Sequence, residues 1–398
     1  MPRIAARQPL TLTEVGRWRL TADFQKRLAR HAEVLGMAKT FQNPRRQLEL
    51  GQYLSLFLFG LLNPAVRTMR ALCAASKLQR LQREVCGAPV SLGSFSEAQA
   101  VIDPALLEAV FAELAAEACG GGAAALPGLS ADADWRIVDS TLWEALPRMH
   151  WALWRRQGPA QSAVRLHVCL HVRDDAPVSA RVTTGRGCER KAWRESWQPG
   201  AGYVGDRYYG EDYRLFGELD ALGCFFVLRL REAAVIEVEE ELPLSEEDRA
   251  AGVIRAAWAH LGCKRRYRSL RVRVLWVQTP QEVLVLVNNQ PAEQLSAGLA
   301  AELYRRRWQV ELFFRWIKCI LGCRHWLAES ARGVATQIYL ALIGALLLQL
   351  HCGRRPNRRM RELLELCEMG VATPKELEAG IAQELARLEQ QAARKKRA

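Results

Sequence analysis

The sequence lacks an apolar run long enough to cross a bilayer. Its most apolar stretch, Ile338 to Leu348, is 11 residues long before Gln349 and His351 interrupt it. A membrane helix needs about 20 such residues, so a buried core helix and no membrane partner are expected. A secretory leader is not expected either, because Met1 to Leu20 carries scattered Arg and no apolar centre. There is no P-loop, which excludes the usual phosphate cradle of nucleotide hydrolysis. No internal repeat and no extended low-complexity segment occurs. The 11 cysteines form no CxxC pair; they read as reduced, mostly buried thiols of an intracellular protein.

What is present is ordinary in bulk and informative in its distribution. With 398 residues, 49% hydrophobic and 25% charged, the chain has the composition of a soluble globular protein of two or three domains. The net charge of +13 lies at its ends: residues 1–100 carry 15 Lys/Arg against 6 Asp/Glu, and residues 353–398 carry 11 against 7. The stretch 101–352 is neutral, with 30 of each. Basic ends around a neutral middle fit a protein that holds a polyanion and keeps its acids for chemistry. Ordinary solubility charge is the competing reading.

Residues 1–128 read as helical. Arg46 to Leu62 is apolar and stops at Asn63-Pro64. A segment from Val66 to Leu81 follows, with Arg67, Arg70, Lys77 and Arg80 at helical spacing, suited either to DNA phosphates or to a solvated face. Ser94 marks a helix entry, Pro104 to Ala118 is an amphipathic helix, and the Gly/Ala/Pro stretch to Gly128 is a linker. The pattern then turns to β. Trp135 to Ser140 reads as a short strand closing around Asp139. Val164 to Val172 alternates, with Leu166, Val168 and Leu170 on one face and Arg165, His167, Cys169 and His171 on the other. Pro177 to Thr184, Ala201 to Asp206 and Cys224 to Leu230 read as further strands, with a helix from Glu211 to Gly223 before the last. Strands at about 234–242, 252–260, 270–277 and 283–288 read as a β-rich insertion, about 231–290, ahead of a helix starting near Leu295. The fold class is therefore α/β with a mixed sheet in residues 129–352, preceded by an all-α domain and followed by a basic helical tail, 353–398.

That late helix carries Tyr304, Arg307, Glu311 and Lys318. At about 100° per residue the four fall within an arc of about 60°. Beside them runs an apolar stripe of Leu303, Val310, Phe314, Ile317 and Leu321. A carboxylate with two cations and a phenol on one edge suits phosphodiester chemistry, the acid holding a divalent metal and the others gripping phosphates. By itself the pattern equally describes an amphipathic helix with incidental pairs.

The motif Tyr304-x2-Arg307-x3-Glu311-x6-Lys318 resembles the signature of bacterial insertion-sequence DDE transposases of the insertion-sequence-four type. Ile137-Val-Asp139-Ser-Thr resembles that family's first-acid strand. Tyr203-Val-Gly-Asp206-Arg207-Tyr-Tyr resembles its second, followed by Leu215-Phe216 and Phe226-Val227-Leu228-Arg229. The resemblance covers roughly residues 130–350, with residues 46–99 looser. Two departures stand out: Tyr208 replaces the usual Gly, and Val287 stands before Asn288 where Thr is common.

The resemblance implies a ribonuclease H-like catalytic domain whose metal-binding acids are Asp139, Asp206 and Glu311. It implies Mg2+ or Mn2+ as cofactor, and Tyr304, Arg307 and Lys318 as contacts to DNA phosphates. It further implies cleavage at transposon ends, strand transfer into target DNA, a hairpin intermediate, a homodimer in the synaptic complex, and a place in the prokaryotic cytoplasm with the nucleoid. Two alternatives are a ribonuclease H-like DNA nuclease without transposition and an inactive DNA-binding derivative. Trp308 reads either as a stacking contact to a displaced base or as a core residue. Arg207 reads as a phosphate contact or as a partner for Asp206. His167, Cys169 and His171 are expected to serve sheet packing, since no second ligand pair has zinc-like spacing. The same holds for Cys323, His325, His351 and Cys352.

Overall fold

A computed structural model describes residues 16–37, 48–63, 66, 68–119, 126–130, 133–153, 162–262, 270–319, 326–352, 359–360, 362–363, 366 and 372–397. The helices α1 (Gly16–Val34), α2 (Leu50–Leu62), α3 (Met69–Ala75), α4 (Leu92–Val101) and α5 (Ala105–Cys119) come first. The strands β1 (Trp135–Ala145), β2 (Ser162–His171) and β3 (Pro177–Thr184) follow, then α6 (Glu189–Arg194), β4 (Gly202–Gly205), α7 (Tyr213–Ala221) and β5 (Phe225–Arg229). Next come β6 (Ile236–Glu241), α8 (Glu246–Ala250), β7 (Val253–Leu261), β8 (Val272–Gln278) and β9 (Val283–Asn288). The last helices are α9 (Ala297–Arg306), α10 (Trp308–Cys319), α11 (Ala331–Cys352) and α12 (Pro374–Arg397).

The chain divides into two compact units, Met1–Ala118 with Trp316–Ala398, and Cys119–Arg315. The first boundary lies near the expected linker at Gly128. The second differs from the expected one: residues 316–352, and the tail beyond them, cluster with the N-terminal helices. The reason is the apolar helix α11, which packs on α1, α2 and α4. Its window Ala331–Leu350 is long and apolar enough to cross a membrane by length and composition, yet 89% of it is buried inside the protein. Counting only Ile338 to Leu348 undercounted this helix, because the uncharged Gly333 to Gln337 extend it before Ile338 and a single charge, Arg332, does not break the span. α2 is apolar all round, as a helix buried on every side must be. Glu49 and Gln52 form a capping box at its start.

In the same unit the segment expected to be one helix from Val66 to Leu81 is broken. Thr68 caps α3, Ser76 ends it, and a π-helical turn occupies Gln82–Cys86. Arg70, Lys77 and Arg80 are exposed. Arg46 and Arg67 lie outside the described residues, as do Cys323 and His325.

The second unit is built on one mixed sheet of nine strands in the order β3-β2-β1-β4-β5-β9-β8-β7-β6. β1, β4 and β5 are mutually parallel, and the remaining pairings are antiparallel. The β-rich segment after β5 does not form a sheet of its own. β9 pairs with β5 through Val227 opposite Asn288, so β6 to β9 extend the central sheet. Both faces of β2 are covered, and so His167, Cys169 and His171 are buried like the leucines between them. One core on this sheet gathers Tyr203, Tyr209, Leu215, Phe216, Phe226 and Leu228.

α9 is held against this sheet by buried polar groups. Arg273, 1% exposed, donates from Nε to Asn288 Oδ1 at 3.2 Å and from a terminal nitrogen to the Leu295 carbonyl. Asp248 accepts the Gly298 N–H at 2.6 Å, and Ser296 caps the helix through the Leu299 N–H. These bonds fix where α9 begins, and therefore where its far end delivers Tyr304.

Candidate active site

Parallel pairing brings two acids together. Ile137 of β1 lies opposite Val204 of β4, and two residues further along each chain stand Asp139 and Asp206. β1 does not stop there, as the sequence suggested. It runs on to Ala145, paired with β2 to the end. Asp139 therefore marks the end of the β1–β4 pairing rather than the end of a strand. Ser140 to Trp143 continue β1 because β2 offers them a partner strand.

Each acid is fixed by backbone donors. Asp139 Oδ1 accepts the Ser140 N–H at 2.7 Å, and Asp206 Oδ1 accepts the Tyr208 N–H at 2.9 Å. The Asp206 carbonyl accepts the N–H groups of Tyr209 and Gly210, both at 3.2 Å. Tyr208 has φ −65° and ψ −40°, ordinary right-handed geometry. The loop thus needs no glycine there, and the departure from the motif leaves Asp206 in place. The tight spot is Gly210, where a Cβ would stand 2.0 Å from the Arg229 carbonyl oxygen. Burial pushes the Asp139 carboxyl up to about 7; the charges of Asp206 and Glu189 act with burial, against the Ser140 hydrogen bond and Arg307. A buried acid beside a second one resists ionisation until a cation joins them.

The third acid arrives on a broken helix. One helix was expected through Tyr304, Arg307, Glu311 and Lys318. Instead α9 ends at Arg306, and α10 starts at Trp308. At the joint the Arg307 N–H donates to the Tyr304 carbonyl at 3.0 Å, and the Val310 N–H to the Arg307 carbonyl at 3.1 Å. These bonds span three residues instead of four and tighten the turn. Arg307 bridges two acids from this joint: a terminal nitrogen donates to Glu311 Oε1 at 2.7 Å, and the other lies 3.7 Å from Asp139 Oδ2. Asp139 and Glu311 are thereby joined through one guanidinium, and the charge of Asp206 acts on Asp139.

The other expected residues fall in several places. Tyr304 is 8% exposed; burial first of all raises its pKa, with the charges of Arg307 and Arg229 acting against it. Arg229 also pairs with Glu282 at 2.6 Å. Trp308 is 53% exposed, which overturns the core reading of this residue. Arg207 is exposed, and among the described residues no ion pair joins it to Asp206. Lys318 lies in the last turn of α10, in the part of the chain that clusters with the helical unit.

Sequence reading missed several residues around the acids. Arg165 reaches Ser140 Oγ at 2.9 Å and pairs with Glu189, whose charge acts on Asp139. Arg190 clamps the loop after Asp206. It donates from Nε to the Tyr208 carbonyl at 2.9 Å, pairs with Glu211 at 2.7 Å, and lies 4.2 Å over the Tyr208 ring. Neither residue sits in a motif, so only the fold reveals them. The β2 polar face behaves as expected in part. His167 Nε2 meets Thr183 Oγ1 at 2.9 Å, and burial first, then Arg165 and Arg181, push its pKa down to about 4. Cys169 Sγ meets Ser196 Oγ at 3.3 Å.

Three carboxylates offer hard oxygen donors, the set that suits Mg2+ or Mn2+ and not a soft metal. Their donor chemistry suits such an ion, while in this structure the three sets of oxygens do not all lie within 4.8 Å of one another and Arg307 stands between Asp139 and Glu311.

Comparison with known proteins now bears on this geometry. Residues 131–348 match the family described as the Transposase DDE domain. A Sinorhizobium fredii protein named as a transposase is 25% identical over 238 residues, covering 59% of this chain and 65% of the relative. A Geobacillus stearothermophilus protein, named as the transposase of an insertion sequence element, is 27% identical over 220 residues, covering 54% of this chain and 55% of the relative. The chain thus spans less than two thirds of the length of either relative. A solved piggyBac transposase synaptic complex with hairpin DNA covers 84% of this chain and 72% of its own, at 10% identity and a TM-score of 0.41, a likeness too slight to carry an argument.

Proposed function

This chain belongs to the transposase DDE domain family, and from that premise we propose that it is a DNA transposase whose Asp139, Asp206 and Glu311 form its metal-dependent catalytic centre. One observation carries the reading: the parallel register that delivers Asp139 and Asp206 side by side, with Arg307 joining Asp139 to Glu311. The strand order β3-β2-β1-β4-β5, with only β1, β4 and β5 parallel, supports a ribonuclease H-like core into which β6 to β9 are inserted.

The three carboxylates would hold Mg2+ or Mn2+, which supplies activation of the attacking oxygen and stabilisation of the leaving one. The protein's own groups do the rest. The backbone N–H groups of Ser140 and Tyr208 orient the first two acids. Arg307 neutralises Asp139 and Glu311 in the metal-free chain. With a metal held by the carboxylates, its guanidinium would be available to a phosphate, for which its planar fork is suited. Tyr304 and Lys318 are the further candidate phosphate contacts in this reading, with Arg207 and Trp308 as exposed groups available to DNA. The reading extends to cut-and-paste transposition through a hairpin on the element's end, by a homodimer on paired inverted-repeat ends, in the prokaryotic cytoplasm.

Incubating the protein with its element's end DNA and Mg2+ tests the assignment. Wild type is expected to cleave at the end and join it to target DNA, while Glu311→Ala does neither. Equal cleavage by both proteins would overturn the catalytic centre; cleavage without joining would favour a nuclease.

A further inference from the structure

Away from the carboxylate centre, the second unit gathers Cys119, His171 and Asp174 so that a ligand atom from each lies within 4.8 Å of the others. The residues come from separate places: the last residue of α5, the end of β2, and the turn between β2 and β3. His171 and Asp174 are 5% and 8% exposed. His171 Nδ1 meets Asp174 Oδ2 at 2.6 Å, and on the other side of the ring Nε2 lies 3.9 Å from Asp134 Oδ1. Two cations face the same groups. Arg136 pairs with Asp134, and Arg173 Nε stands 3.7 Å from Asp174 Oδ2.

We propose that Cys119, His171 and Asp174 form a structural site for a thiophilic divalent cation of the zinc class, distinct from the Asp139–Asp206–Glu311 centre. The donor set decides the metal. A thiolate, an imidazole and a carboxylate match Zn2+ and Co2+, whereas Mg2+ and Mn2+ prefer oxygen alone. Bonds of about 2.0–2.3 Å to a tetrahedral ion hold ligand atoms roughly 3.3–3.8 Å apart, so the 2.6 Å His171–Asp174 contact opens to admit the ion while the trio stays within its present 4.8 Å span. The ion takes Nδ1, where neutral His171 carries a proton toward Asp174. That proton moves to Nε2, which then donates to Asp134, the carboxylate–histidine–metal arrangement that fixes a ring in place. The Cys119 thiol loses its proton to solvent, so one proton is released per ion bound. In the metal-free chain burial first of all holds that thiol protonated, with the charges of Asp174 and Asp134 acting in the same direction and Arg136 and Arg173 against it. With Arg136 and Arg173 balancing the two carboxylates, the thiolate supplies the net charge that draws the ion. The fourth position is left to water.

This inference does not depend on the transposase reading, and its test reads no activity. Full-length protein in excess Mg2+ is titrated with Co2+ while near-ultraviolet absorption is recorded. The expected result is a thiolate-to-cobalt charge-transfer band that saturates at one ion per chain and is displaced by Zn2+. Cys119→Ser abolishes the band, while Cys188→Ser, at an exposed cysteine, leaves it unchanged. Asp174→Asn keeps the thiol and shifts the midpoint by about tenfold or more. Circular dichroism establishes that each variant is folded. A wild type without the band, or a band that survives in folded Cys119→Ser, overturns the site and leaves a hydrogen-bonded His–Asp pair.

Discussion

Arg307 and Glu311 are joined at 2.7 Å across the first turn of α10, and the same guanidinium stands 3.7 Å from Asp139 on β1. The arginine of the motif thus serves the acids before any substrate arrives. Removing it takes from Glu311 its ion-pair partner and from Asp139 a charge that opposes the effect of burial. Arg307→Ala is therefore expected to lower the melting temperature of the metal-free protein, by an amount equivalent to about 1–3 kcal/mol. Mg2+ or Mn2+ should restore part of the loss. A thermal scan with and without metal measures both; no difference between the variants in the metal-free state would refute the bridge.

Replacing an acid acts on chemistry rather than on fold. Asp139→Asn and Asp206→Asn keep the shape of each side chain and remove its charge. Charge stabilisation by a bound ion is worth several kcal/mol, which corresponds to at least about 10²–10³-fold in rate. End-cleavage rates should fall by that factor in both variants. Asp139→Asn should also be as stable as wild type or more so without metal, because burial already opposes its ionisation.

Trp308 separates surface from core. Being 53% exposed, it contributes little to folding, and Trp308→Ala should change stability by no more than about 0.5 kcal/mol. If its ring stacks on a base, cleavage of end DNA should weaken by about tenfold or more, in line with about 1–3 kcal/mol per stacked base. A drop in melting temperature with unchanged DNA cleavage would contradict this assignment.

Gly210 tests the loop that carries Asp206. An added Cβ would meet the Arg229 carbonyl at 2.0 Å, a contact that rigid backbone cannot relieve. Gly210→Ala is expected to cost about 1–3 kcal/mol of stability. Because the Gly210 N–H donates to the Asp206 backbone carbonyl, a shifted loop carries the Asp206 carboxylate with it, and metal affinity should fall as well. Chemical denaturation and Mn2+ titration check the two effects.

The helical unit has its own pH dependence. Burial pushes the Glu113 carboxyl up, but hydrogen bonds from Arg30 and His31 and the charges of Arg27 and Arg30 outweigh it and bring the pKa to about 2. A carboxyl whose pKa is lower in the folded state contributes stability that is fully present above its unfolded value. That stability is lost as pH falls through the folded value. The melting temperature should therefore decline between about pH 4.5 and 2, and Glu113→Gln should flatten that decline. An unchanged slope would remove Glu113 as its cause.

Much of the catalytic unit was legible in the sequence because its signals are local. Period-two alternation marked β2, and the edges of β9 follow its apolar run closely. The three acids stood in motifs of fixed spacing, so Asp139, Asp206 and Glu311 could be named before any geometry was known. Spacing could not reveal that the late helix breaks at Arg307, because the joint is made by two short backbone bonds that helical periodicity does not record. Nor could it reveal that β1 continues past Asp139, since pairing with β2 is decided by a partner far along the chain. The strands after β5 were readable one by one, yet their joining of the central sheet depends on an edge that β5 leaves open. Charge pattern gave no hint that Arg165, Glu189 and Arg190 surround the acids, or that Cys119 meets His171 and Asp174. The sequence by itself determined most of the elements and, through its resemblance, singled out three candidate acids, because those readings rest on local propensity and on motif. Only the tertiary structure decided which side chains share a site, because that depends on strand order, register and the packing of α9 on the sheet.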